Sequence, residues 1–292
     1  MLRRLLTFWL AALLAGCSGG VQQDATPAVW AVKADGTTIY LTGTVHLLPD
    51  GVNWRNGPIN AAMDDAQELV TELAPAELDR VAAVAKRYTH GDGMVQPRDR
   101  FEPDIRDDYI AIEGSDLPLV GGMAALDDWA LALMLARVSA DQAGLEATNG
   151  VDSALIASFA RANKPRLGLE RAQDQFGAFD AISLPEQRQM LNRLMRDMAE
   201  GRADDRLRAT IGAWSRGDMD ALATMIANDA AEAPMAHRLL LVERNRKWAD
   251  WVERRLEKPG TVLVAVGAGH LAGPDSLIAI LAARGIEAQR LQ

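Results

Sequence analysis

The chain has 292 residues, 49 % of them hydrophobic and 24 % charged, with a formal charge of −9. That is enough chain for a sizeable core, and the composition is that of a globular protein rather than a disordered or fibrous one. The acidic balance argues against a nucleic-acid partner, because phosphate binding needs a basic surface.

The first residues read as a targeting segment. Arg3 and Arg4 precede the apolar run Leu5–Leu14, which is too short to span a bilayer as a mature helix. Leu14-Ala15-Gly16-Cys17 resembles the lipobox of bacterial lipoproteins, in which cleavage before the cysteine accompanies its lipidation. Residues 1–16 are therefore expected as a signal peptide, with Cys17 carrying the lipid and residues 17–27 forming a small, polar tether. Cys17 is the only cysteine, so neither an intramolecular disulfide nor a thiolate metal site can be built. In a host with two membranes, Ser18 rather than Asp after the cysteine predicts sorting to the periplasmic face of the outer membrane. Removing residues 1–16 takes two arginines and leaves a formal charge of −11.

Residues 28–292 are expected to form one domain. Val29–Val32 and Thr37–Leu41 flank Asp35-Gly36, a hairpin signal. Gly43-Thr44-Val45-His46 follows. Pro58–Ala66 reads as a helix with proline in its first turn, Glu68–Leu73 as a strand ending near Glu72, and Ala76–Tyr88 as a second helix. From Phe101 to Met225 the pattern is almost wholly helical. Within it, Met123–Val138 is apolar on nearly every face, and Val151–Ala162 carries Asp152 where it suits the helix dipole. Asn163–Arg166 turns the chain into Leu167-Gly168-Leu169-Glu170. Pro185–Glu200, Ala203–Trp214, Asp218–Asn228 and Pro234–Leu256 complete the helical part. Thr261–Val266 is β-branched and strand-like, and it stops in Gly267-Ala268-Gly269-His270. Pro274–Arg284 reads as a helix closed by Gly285, and Ile286–Leu291 as an edge strand.

Strand-like pieces near both ends with helices between them predict an α+β fold. Its mixed central sheet would be assembled from the N- and C-terminal segments, with a large helical insertion packed over it.

The chemistry concentrates in two strand–Gly-x-x-His units, Gly43…His46 and Gly267…His270. Gly43, Gly267 and Gly269 permit close approach of backbone or ligand to the imidazoles. His90 lies in a glycine-flanked turn and is given no role; His237 reads as structural. Glu72 and Glu170 follow short apolar runs and are the candidate acids, as ligands or as general bases. Two histidines with one or two glutamates match the ligand types of Zn²⁺, Mn²⁺ or Co²⁺ hydrolases. His-Glu-x-x-His, Gly-x-Ser-x-Gly, P-loop and dinucleotide-loop motifs are absent. Glu243-Arg244-Asn245-Arg246 reads, from spacing alone, as a solvated helix face with a Glu243–Lys247 pair.

The motifs, taken together, resemble the TraB/GumN family, to which the Tiki proteins are related. The resemblance rests on Thr38–His46 (TIYLTGTVH), on Gly150-Val151-Asp152 with Lys164-Pro165 and Leu169-Glu170, on Glu243-Arg244-Asn245-Arg246, and on Val264–Asp275 (VAVGAGHLAGPD). It covers the chain from about Trp30 to the C-terminus. It implies a fold akin to erythromycin esterases and haem-binding ChaN lipoproteins. It also implies a metalloprotease site: His46, His270 and Glu72 holding a divalent ion (Mn²⁺, Co²⁺ or Zn²⁺), Arg244 stabilising an oxyanion, Glu170 at a family position of less defined role, and Asn245 supporting the motif. Such an ion lowers the pKa of bound water from 15.7 towards roughly 7. The expected activity is hydrolysis of a peptide or protein outside the cytoplasm. The alternative is a non-catalytic lipoprotein binding haem or another ligand, for which His46, His270, Tyr40 and Tyr88 are the axial candidates.

Overall fold

The computed structural model describes residues 23–88, 95–113 and 126–292. Cys17, the segment before it and His90 lie outside these residues. No helix among the described residues is long and apolar enough to cross a membrane.

A six-stranded mixed sheet carries the fold: β1 (Val29–Ala34), β2 (Thr37–Thr44), β3 (Glu68–Leu73), β4 (Arg166–Glu170), β5 (Gly260–Gly267) and β6 (Gln289–Arg290). The spatial order is β4-β3-β5-β2-β1-β6. Strands β4, β3, β5 and β2 run parallel, while β1 and β6 are antiparallel additions at one edge. The hairpin between β1 and β2 turns at Asp35-Gly36, where Gly36 takes a φ of +71° that only glycine adopts readily. The C-terminal strand β5 lies between β2 and β3, so the sheet joins the two ends of the chain as its α+β pattern predicts.

Strand β5 explains the layering. Val262, Val264 and Val266 pack on one face with Trp248, Val252, Leu277 and Leu281. Leu263 and Ala265 point to the other, with Ile59, Leu155, Phe159 and Trp214. A strand covered on both sides reads as a continuous apolar run, as Thr261–Val266 does. A third cluster, built on Phe101, Tyr109, Leu131, Leu135, Leu191 and Met195, belongs to the helical part alone.

The structure departs from the sequence reading in four places. Arg166–Glu170 is a strand within the helical region. It is an edge strand with Arg166 and Leu167 exposed, and its apolar run is only Leu167-Gly168-Leu169, too short to mark a strand by itself. Gly168 is needed there because a Cβ would come within 2.4 Å of the Ala74 amide nitrogen. The span Ala76–Tyr88 is two helices, Pro75–Leu78 and Val81–Tyr88. The helix expected over Pro234–Leu256 begins with Pro234–His237, widens into a π-helical turn at Arg238–Val242 and resumes as Glu243–Leu256. The last helix is Leu277–Ala283, capped by the Ser276 side chain bonding the Ala279 amide, with Pro274 left in the preceding turn.

Candidate active site at the carboxyl edge of the parallel strands

All four parallel strands end at one edge, and each brings a candidate side chain there. Glu72 sits near the end of β3 and Glu170 at the end of β4, with Leu73 and Glu170 in register. Thr44 of β2 pairs with Gly267 of β5, so the two Gly-x-x-His loops leave the sheet side by side. Ligands in open parallel sheets bind at this edge because the loops there are free to vary while the strands fix their roots. Gly43 permits the pairing of the loops: a Cβ on it would lie 2.9 Å from the Ala268 Cα.

The centre of the cluster is Arg244. The buried residues of its helix are Arg244, Asn245, Trp248, Ala249 and Val252, one stripe at helical spacing. Arg244 and Asn245 therefore face the core rather than solvent, which corrects the reading of Glu243–Arg246 as a solvated face. The Arg244 Nη2 donates to Glu72 Oε2 and to Glu170 Oε1, both at 2.6 Å, and Nε donates to Glu170 Oε2 at 3.0 Å. Nη1 donates to the Leu240 carbonyl at 3.0 Å and meets His270 Nε2 at 3.1 Å. These bonds use all five guanidinium N–H groups. The π-helical turn Arg238–Val242 ends directly before Glu243-Arg244 and contains Leu240, a placement common for such turns at functional sites.

The neighbours are equally constrained. Glu72 Oε1 accepts from the Gly267 amide at 2.8 Å, tying β3 to the second histidine loop. His270 Nδ1 donates to Asn245 Oδ1 at 2.7 Å, and Asn245 Nδ2 donates to the Asp275 carbonyl at 2.8 Å. With Asn245 accepting at Nδ1, the neutral ring presents its lone pair at Nε2 to Arg244. The imidazole also packs on Trp248, with centroids 4.4 Å apart.

Charge follows from these contacts. Burial pushes the His270 ring down to about 3, so it is neutral at physiological pH. Burial alone would raise the Glu72 carboxyl, but the positive charges of Arg244 and His46 and the Gly267 amide hold it at about 2. Burial raises Glu170 against the opposing pull of Arg244. Burial would strip the Arg244 proton, yet Glu72 and Glu170 hold it more firmly than usual.

His46 stands apart from this buried knot. Its Nδ1 lies 2.8 Å from Asp152 Oδ2, while Asp152 Oδ1 accepts from Thr44 Oγ1 at 2.8 Å. The hydrogen bond to Asp152 pushes the ring up to about 9, against the effect of desolvation. The side chain is 67 % exposed, so solvent screens the pair. Asp152 reaches His46 because the Val151 amide donates to the Val45 carbonyl and Gly150 lies against the loop. A Cβ at Gly150 would come within 2.3 Å of the His46 carbonyl oxygen. Asp152 thus has a role beyond the helix dipole. Gly150-Val151-Asp152 marks the segment in the sequence, but nothing there pairs it with His46.

His46 and His270 line the same cavity, of about 790 Å³, together with Arg244, Gly267 and Gly269. His237, read as structural, also lines it and bonds Asp275 at 3.0 Å. Tyr40, one of the axial candidates for haem, instead donates to Asp65 at 3.0 Å.

A model of the TraB/PrgY/gumN family matches residues 28–290. The chain belongs to that family. An uncharacterized protein of Treponema pallidum (strain Nichols) is 22 % identical over 274 residues, covering 87 % of this chain and 80 % of the relative. No solved structure matches. All the site residues above lie within the matched span.

The divalent ion that family resemblance implies meets an obstacle in this arrangement. The His270 lone pair and Glu72 Oε2 are both directed at Arg244, and Glu72 Oε1 is bonded to an amide. Among the described residues no group of three His, Cys, Asp or Glu side chains is arranged to hold a metal ion. The cation between the acids is the guanidinium itself. Nor does Arg244 have an N–H left for an oxyanion unless it gives up one of these partners.

Proposed function

We propose that this chain is a lipid-tethered hydrolase of the cell envelope, cleaving an amide bond in a peptide or protein. The observation that carries the reading is the His46–Asp152 pair facing a cavity beside the guanidinium–carboxylate cluster. An imidazole oriented through Nδ1 by a carboxylate is the arrangement a general base needs. In its neutral form, His46 Nε2 takes a proton from water as the oxygen adds to the carbonyl carbon. The C–N bond then breaks, and His46 returns the proton to the leaving amine. Arg244, Glu72, Glu170 and Asn245 are positioning residues here. They fix the second histidine loop against the first, and none is asked to change its charge. Because His270, Glu72 and Arg244 are spent on one another at this edge, each step is assigned to the chain's own groups.

The test uses the full lipidated chain in detergent, with peptide and N-acyl amide substrates followed by mass spectrometry. The cleavage rate should rise with pH towards 9, as the neutral form of His46 becomes populated. The His46→Ala variant should lose about 10²–10⁴-fold, the usual worth of a general base. Adding Mn²⁺, Co²⁺ or Zn²⁺, or a chelator, should leave the rate unchanged. If His46→Ala cleaves as well as wild type, this reading fails. A rate that appears only with added metal would restore the metal-dependent alternative.

A further inference from the structure

The cavity at the histidine loops is much larger than the chemistry requires. Of its polar groups, Thr44, His46, Arg244 and His270 come from the two histidine loops and the Arg244 helix. Much of the remaining lining comes from the helices Leu184–Ala199, Arg202–Ser215 and Met219–Glu232 and from the π-helical turn. The apolar side chains there are Leu194, Leu207, Ile211, Leu222, Met225 and Leu240. About 790 Å³ is within the range of sites that enclose a small molecule.

The charged residues of this lining besides His46 and Arg244 are already matched. Arg193 pairs with Asp229 at 3.1 Å and with Asp197 at 3.9 Å, Arg206 also pairs with Asp229, and His237 pairs with Asp275 at 3.0 Å. An extended polypeptide lying here would bring an amide and a carbonyl every residue, each costly to bury without a partner. A hydrocarbon chain brings none, and it gains from every methylene buried.

We propose that the cavity seats an aliphatic acyl chain, so that the substrate is an N-acylated peptide and the bond cut is the acyl amide. Resting on the hydrolase reading above, the assignment places the acyl carbonyl at His46, the chain among the helices and the peptide towards solvent. Water adds to the acyl carbon, the C–N bond breaks, and the proton taken by His46 passes to the leaving amine. The products are a fatty acid and a free peptide amine.

Binding and turnover are measured separately on the full chain in detergent. Binding uses cis-parinaric acid fluorescence, with displacement by N-acyl glycine amides of two to fourteen carbons. Affinity should rise about two- to fourfold per methylene, at or below the limit of full burial, and level off when the cavity is full. Ile211→Trp, which fills the cavity, should move that plateau to shorter chains, and Leu207→Ala should move it to longer ones. Should either variant fail to fold, the wild-type series decides alone. Turnover uses N-acyl aminocoumarin amides of the same lengths, with His46→Ala as the inactive control that still binds the probe. Length-dependent binding without turnover keeps the acyl assignment and sinks the hydrolase reading. Turnover or binding independent of chain length, or displacement by unacylated apolar peptides equal to that by acylated ones, overturns the acyl assignment. The last two outcomes leave the hydrolase reading standing.

Discussion

Replacing Arg244 with methionine tests whether the guanidinium holds the carboxyl edge together. The side chains of Arg244, Glu72 and Glu170 are only about a tenth exposed, so water screens little of the loss. Removing one partner of such a cluster leaves two carboxylates facing each other in a desolvated pocket, a change that costs about 3–5 kcal/mol in comparable buried pairs. For a domain of this size that corresponds to a fall in Tm of roughly 6–20 °C. The pH dependence gives the reasoning its sign. In wild type the Glu72 carboxyl is held at about 2, so its contribution is complete above the ordinary carboxylate range and is lost as pH falls through 2. Without Arg244 part of that depression goes, and both acids neutralise more readily as pH is lowered. The deficit of the variant should therefore shrink between pH 7 and pH 5. The assay is denaturant unfolding at both pH values, beside a triple variant (Arg244→Met, Glu72→Gln, Glu170→Gln) that removes the charges together and should recover part of the loss. A deficit below about 1 kcal/mol, the worth of an exposed pair, or one independent of pH, would refute a desolvated cluster.

Three further outcomes are expected. Asp152→Asn should bring the His46 pKa from about 9 down towards its ordinary value, read by NMR titration of the ring protons. The stability linked to that ring is present below its unfolded pKa and is lost as pH rises through 9 in wild type, so the variant should lose this alkaline dependence. Asn245→Ala removes the acceptor for His270 Nδ1 and the donor to the Asp275 carbonyl; a cost of about 1–3 kcal/mol is expected, with ¹⁵N shifts showing whether the His270 ring keeps its tautomer. Gly150→Ala places a methyl within 2.3 Å of the His46 carbonyl oxygen, and a destabilisation of about 1–3 kcal/mol should accompany the shift of the loop, read by denaturant unfolding.

The sheet was legible where the chain is buried on both faces. The β-branched run of β5 and the Asp35-Gly36 turn each have one physical meaning, and both strands lie where their pattern predicts. Strand β4 was hidden because its apolar run, Leu167-Gly168-Leu169, is too short to mark a strand by itself. The placement of Arg244 and Asn245 was in principle readable: Trp248 follows four residues after Arg244, and their helix buries that stripe. The abundance of charge in Glu243–Lys247 masked it, since a charge run is normally a wet face. The histidine loops could be paired from sequence, but not the use of Asp152, because its partner lies over a hundred positions away and a first-turn acid already has a local reason to exist. The π-helical turn has no sequence signature that we recognise.

The position of β5 in the sheet has a consequence for how the protein is made. Strands β2 and β3 are synthesised early but do not touch; the strand that joins them emerges some two hundred residues later. A chain interrupted before Gly260 would expose two raw parallel edges and would lack His270 and the Gly267 amide that anchors Glu72. Contacts of such long sequence separation form slowly, so nearly the whole polypeptide waits on its final segment. The buried cluster is thus a completion mark: Arg244, Glu72 and Glu170 gain His270 and the Gly267 amide only once the strand Gly260–Gly267 and its histidine loop have been made.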